Sequence, residues 1–299
     1  MKRNNQVYEL ALTAIIGAII LFLSLIPNIG FIRILPGVSV TIVHIPVILG
    51  VFLLGLKGSI ILGFFFGFGS FLAALIYAST PFDLAFINPL VSILPRMLFA
   101  LVAYYIAFGF KKLANLKFGK MIMFGIVSLI SAIGLFFGIN QMTKQYTYNN
   151  YNVKNSELYQ AIADGKDEEE IEALEIEVAS LLNNANKKYD NARKITIPIS
   201  IVLIIGLIVL YYIYTVRKNH QYTYLPSVFI LSTLAHTVLV IAAVVIVNPK
   251  VFYETFGDSE NVITIIYMIA AANGILEAFI GALIGSPITT TALVKQTEE

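Results

Sequence analysis

The sequence predicts an all-α polytopic membrane protein, and three observations carry that expectation. Of 299 residues, 58% are hydrophobic and only 13% charged, with a mean hydropathy of +0.82, more apolar than a soluble domain of this size tolerates. The apolar residues gather into runs of about 17–25, the length that crosses a bilayer core. Lys and Arg are unevenly shared between alternate connections, as the positive-inside rule requires.

Eight runs follow in order, near 8–27, 40–56, 58–79, 89–110, 121–140, 196–216, 226–247 and 262–285. The first reads as a membrane anchor and not a signal peptide, because further runs follow and no small-residue cleavage site ends it. Only Gly55-Leu56-Lys57-Gly58 separates the second from the third, so these two form a tight helical hairpin. Pro89 and Pro95 break the start of the fourth run. Eight spans put both termini on one side. With the N-terminus inside, the inner segments hold Lys2, Arg3, Lys57, Lys111, Lys112, Lys117, Lys120, Arg217, Lys218 and Lys295, while the short outer loops hold Arg33 and Lys250. Both termini are therefore expected in the cytoplasm, with the chain multi-pass in the plasma membrane. The longest outer segment ends in Lys187, Lys188, Arg193 and Lys194, but long polar segments constrain orientation less.

Residues 141–195 are the one clear shift in composition, with net charge −3 against +5 for the remainder. From Asp167, Ile171, Leu174, Val178, Leu181, Ala185 and Tyr189 recur at three- and four-residue steps, which predicts an amphipathic helix running toward Pro198. The preceding YTYNNYNVKN (146–155) reads as polar and turn-like. The segment is expected to be an extracellular helical hairpin capping the two spans it joins.

Composition also excludes chemistry. Without cysteine there is no thiol nucleophile, disulfide or thiolate metal site. Net charge +2 gives no case for nucleic acid, and no phosphate loop, GxSxG or HExxH motif occurs. The chain is expected to be no enzyme and to need no cofactor or metal. Uphill transport would require an ion gradient or separate ATPase subunits.

Six polar groups inside the apolar runs are the candidate site: His44, Asn88, Arg96, His236, Asn273 and Glu277. A charge in hydrocarbon costs at least about 3 kcal/mol on insertion scales, so Arg96 requires a partner. Two readings stand. Glu277 pairs with it, or the guanidinium awaits a carboxylate ligand, to which its planar fork is suited. His44 and His236 are either satisfied core residues or contacts of a ligand. Asn88, before Pro89, caps the fourth span or faces a pocket. Asn273 lies four residues before Glu277, on the same helix face. Gly63, Gly67 and Gly69 read as contacts between closely packed helices.

SVTIVHIPVILGVFLLGLKGSIILGFFFG (39–67), FINPLVSILPRMLFALVAYY (86–105), LSTLAHTVLVIA (231–242) and AANGILEAFIGALIGSPI (271–288) together resemble the substrate-binding S components of energy-coupling factor (ECF) vitamin transporters. The pattern is most similar to the pantothenate-type group, although that group often carries asparagine where this chain has His236. The resemblance implies a six-helix protein that captures a vitamin from outside, pantothenate first and folate or another vitamin next. A transmembrane T component and two ATPase subunits would drive uptake. It also implies that Ala14 and Ala18, an AxxxA pair with Ala11 nearby, contact the T component, and that Arg96, Asn88, His236 and Asn273 line the pocket. Six family helices against eight runs imply core helices 1–4 in 1–117, an insertion of two spans over 118–218, and core helices 5–6 in 219–299. Two other readings of the residues stand beside it: a stand-alone proton-coupled transporter using Glu277 and the histidines, and an assembly protein whose hairpin docks a partner.

Overall fold

Long apolar helices carry the architecture. The computed structural model describes residues 2–26, 29–35, 38–217, 222–256 and 274–298, with Val262 and Ile266. Helix α1 (Lys2–Leu25) leads into a short antiparallel hairpin, β1 (Phe31–Leu35) and β2 (Val38–Thr41). Then come α2 (His44–Tyr77), α3 (Pro81–Leu84) with a 3-10 turn over Ala85–Ile87, α4 (Pro89–Ser92) and α5 (Leu94–Ala114). Two very long helices follow, α6 (Gly119–Ala163) and α7 (Glu168–Tyr212), the second ending in a π turn over Ile213–Arg217. Helices α8 (Leu225–Val247), α9 (Pro249–Phe256) and α10 (Ile275–Glu298) complete the chain. Among the described residues, seven helices are long and apolar enough to cross a membrane.

Eight predicted runs become seven helices because α2 contains two of the runs. Gly55 adopts φ 65°, ψ −164°, outside helical geometry, a left-handed φ that glycine reaches without a Cβ clash. A straight helix would hold positions 50 and 62 about 18 Å apart, yet a side chain at Gly50 would collide with Leu62. The chain therefore doubles back, and the expected hairpin is present. Its first arm is shorter than predicted: the helix begins only at His44, because 38–41 are a strand that the sequence reading does not anticipate. That arm rises only about 16 Å. At the other end, residues 275–285 of the predicted run 262–285 open a helix that continues to Glu298, while 263–265 and 267–273 lie outside the described residues. Thr290 and Thr291 donate side-chain hydrogen bonds back to the carbonyls of Ser286 and Pro287, so these polar residues remain within the helix.

Small residues set the packing of the core. A Cβ on Gly69 would lie 2.6 Å from Ser24 on α1, and one on Gly63 would lie 2.6 Å from the Arg96 carbonyl on α5. The expected helix contacts at Gly63, Gly67 and Gly69 are thus present. Phe66, Phe99, Phe229, Ile20, Ile48 and Leu62 are fully buried between α1, α2, α5 and α8.

The α6–α7 pair has a different character. Each helix has 45 residues, about 68 Å of rise, against a hydrocarbon core of about 30 Å. The expectation that 146–155 is turn-like is overturned: the segment is helix throughout. No Gly or Pro interrupts it, and its polar side chains find partners across the pair. Tyr148 donates to Asn186, Tyr189 Oη donates to Asn140 at 3.0 Å, and the Tyr148 and Tyr189 rings meet edge to face. Lys154 bridges Glu157 and Glu177, both at 3.0 Å, and these carboxylates raise its pKa. The turn closes at Gly165, φ 67°, where Lys166 N–H donates to the Ala161 carbonyl, the bonding of a glycine C-cap. Nothing lies within 4 Å of a Cβ placed there, so Gly165→Val adds only left-handed strain. We expect it to cost about 1–2 kcal/mol, read as earlier protease cleavage at the hairpin tip without change in the rest of the molecule. At the other end of α7, the Tyr211 and Ser227 hydroxyls bond, fastening this pair to α8.

Candidate binding site

Arg96 owes its place to the proline before it. In an unbroken helix the Val91 carbonyl would accept from the N–H of residue 95, and Pro95 has none. The chain breaks at Ile93, between α4 and α5. The guanidinium fills the vacancy, Nη1 donating to the Val91 carbonyl at 2.6 Å. Its Cζ lies 5.0 Å from the Phe86 ring centroid and 5.7 Å from that of Phe66, within cation–π range. Arg96 is 4% exposed, and its Nε has no hydrogen-bond partner among the described residues.

Two histidines adjoin it. His236 lies halfway along α8, its ring 5.1 Å from Phe66 and 4.9 Å from Phe99. His44, the first residue of α2, is nearly parallel to it at 6.4 Å and is completely buried. Gly281 on α10 makes room for it, since a Cβ there would lie 2.7 Å from His44 Nε2. Nδ1 and Nε2 of His44 and Nδ1 of His236 lack hydrogen-bond partners among the described residues, although the Thr41 backbone lies alongside His44. Polar atoms buried in this way carry a desolvation cost of about 1–3 kcal/mol each unless a ligand or water satisfies them. Their convergence marks the site.

Glu277, near the start of α10, accepts from the Thr41 N–H at 2.8 Å. It lies close enough to Arg96 for the charges to interact, but no salt bridge joins them among the described residues. The β2–α2 junction thus reaches the level of His236, the middle of a spanning helix. Irregular backbone is tolerated at that depth only where protein buries it or it lines a cavity.

The other candidates lie elsewhere. Asn88 caps α4, its Oδ1 accepting from Leu90 N–H at 2.9 Å. It also lines an open groove of about 480 Å³ with Leu84, Ala85, Ile87, Asn248 and Val251, apart from the histidines. Asn273 falls outside the described residues. Ala11, Ala14 and Ala18 are exposed on the face of α1 opposite buried Ile16 and Ile20. Sequence reasoning missed Thr41, whose contribution is a backbone N–H, and Phe66, Phe86 and Phe99, which look like ordinary apolar residues of a span. The signal for Val91 was available, four residues before Pro95.

The model of one protein family, ECF transporter, substrate-specific component, matches residues 9–162, just over half of the chain. The match runs from the second turn of α1 almost to the end of α6. A search of curated proteins finds no match.

Proposed function

The chain belongs to the family of ECF transporter substrate-specific components, and from that premise we propose that it captures a small carboxylate-bearing vitamin, pantothenate first and folate next. Members are substrate-binding subunits of transporters and not enzymes, and membership implies association with ECF transmembrane and ATPase modules. The observation that carries the ligand reading is the buried Nε of Arg96, which lies with Nδ1 and Nε2 of His44 and Nδ1 of His236 in one apolar cluster, all without a hydrogen-bond partner among the described residues. A carboxylate would take the guanidinium, and hydroxyl or amide groups would take the His44 and His236 nitrogens. Phe66, Phe86 and Phe99 would supply the apolar burial that dominates small-molecule sites. Asn273 is a further proposed contact, whereas Asn88 caps α4 in a separate groove, and the exposed Ala11, Ala14 and Ala18 form the proposed face for the T component.

Cytoplasmic termini follow from the basic residues, and this orientation directs the α6–α7 hairpin outward. On this reading 118–218 is an insertion between core segments 1–117 and 219–299 that leaves the core topology unchanged. A proton relay through Glu277 and the histidines is the less favoured reading, because the Glu277 carboxylate holds a backbone N–H. The decisive experiment is mass spectrometry of small molecules released from the detergent-purified protein. A co-purifying carboxylate-bearing vitamin is the expected result. A protein that arrives empty, and binds neither pantothenate nor folate when these are added, defeats the assignment.

A further inference from the structure

The sequence offers Glu277 as a partner for Arg96 or as a ligand contact, but its observed bond is to neither. We propose that Glu277 is a positioning residue, whose carboxylate holds the buried N–H of Thr41 and so fixes the β2–α2 junction that places His44 beside His236.

The register of the small sheet explains why Thr41 needs such a partner. Phe31 pairs with Thr41 and Ile32 with Val40, while Ile42 N–H donates to the Gly30 carbonyl at 3.0 Å. Antiparallel strands alternate hydrogen-bonded and non-hydrogen-bonded pairs. The bond at Ile42 makes Phe31–Thr41 a non-hydrogen-bonded pair, so the Thr41 N–H points away from β1. Thr41 is 6% exposed, so water cannot readily take that proton. A buried, unsatisfied N–H would be costly. Glu277, 236 positions away in sequence, satisfies it at 2.8 Å.

From this anchor the chain turns directly into α2. Thr41 Oγ1 accepts from Val43 N–H at 3.3 Å, Ile45 N–H donates to the Ile42 carbonyl at 3.1 Å, and His44 is the first helical residue. The N-cap residue, Val43, itself makes no side-chain capping bond. A second contact lies one turn farther along α10. Gly281, four residues after Glu277 and so on the same face, receives the His44 ring. One face of α10 therefore holds the junction at Thr41 and seats the imidazole that the junction carries. Placing His44 in the ligand site rests on the reading above, but the anchoring of Thr41 does not.

Hydrogen exchange at the Thr41 amide, followed in the full-length protein in lipid nanodiscs without ligand, tests the proposal. In the unmodified protein this amide is expected to exchange slowly. Glu277→Ala should accelerate it about tenfold or more, the scale of leaving one buried donor without its acceptor. Glu277→Gln keeps an oxygen acceptor and should stay within about threefold of the unmodified rate. Rapid exchange in both variants would mean that the charge is what matters, and would overturn the proposal, as would no change in either. Rapid exchange in the unmodified protein overturns it without any variant. Radiolabelled pantothenate binding, measured alongside, should be weakened by Glu277→Ala and retained by Glu277→Gln. Failure of pantothenate to bind even the unmodified protein counts against the vitamin assignment, while the exchange pattern alone decides the role of Glu277.

Discussion

Replacing Arg96 with alanine is expected to weaken pantothenate binding by about 100-fold or more, the scale of losing a desolvated, hydrogen-bonded charge pair, while the protein still folds. The fold should survive because, among the described residues, Arg96 satisfies one hydrogen-bond acceptor, the Val91 carbonyl. Leaving that carbonyl unpaired costs about 1–3 kcal/mol, and the substitution also removes a charge that is expensive to hold between helices. Binding should not survive, because among the described residues no second cation meets the cluster of His44, His236 and Glu277. Arg96→Lys is the informative companion. It keeps the charge but loses the planar fork, and should bind with an affinity between the two. Calorimetric titration with pantothenate, together with melting of the purified variants, measures both quantities. Undiminished binding by Arg96→Ala would remove the carboxylate clamp from the mechanism.

What could be read from the sequence was what depends on a run or on a break. The apolar runs, the reversal at Gly55 and the interruption before Arg96 each follow from local chemistry: hydrocarbon length, a residue without Cβ, and a proline without N–H. The site was only partly legible, because its assembly depends on register and on neighbours distant in the chain. His44 was visible as a polar residue, but not that a strand ending at Thr41 carries it to the level of His236. Glu277 was visible as a lone buried carboxylate. Its bond to a backbone N–H was not, since any residue other than proline would supply the same donor. The misread stretch 146–155 failed for a related reason. Asn and Tyr suggest a turn when viewed alone, and become helical when a facing helix offers Asn186, Tyr189 and Glu177 as partners.

The second large effect is expected at a residue that touches no ligand. Gly67 faces the break that sets Arg96, and a Cβ there would lie 2.5 Å from Ile93 Cα and 2.9 Å from the Ser92 carbonyl. Both obstacles are backbone, so no rotamer change can relieve the clash. Gly63, one turn earlier, meets the Arg96 carbonyl itself. The α4–α5 break is therefore pressed against the glycine face of α2, and Gly67→Leu must move one helix or the other. Overpacking of this kind costs about 1–3 kcal/mol and sometimes more. Here the displaced backbone carries both Arg96 and its acceptor Val91. We expect Gly67→Leu to lower the melting temperature and to weaken pantothenate binding in the same variant. Gly109→Leu on α5 is the matched control, since a Cβ there meets nothing within 4 Å, and it should leave both properties close to those of the unmodified protein. If the two variants behave alike, the glycine face of α2 does not set the position of Arg96, and the proline break alone must do so.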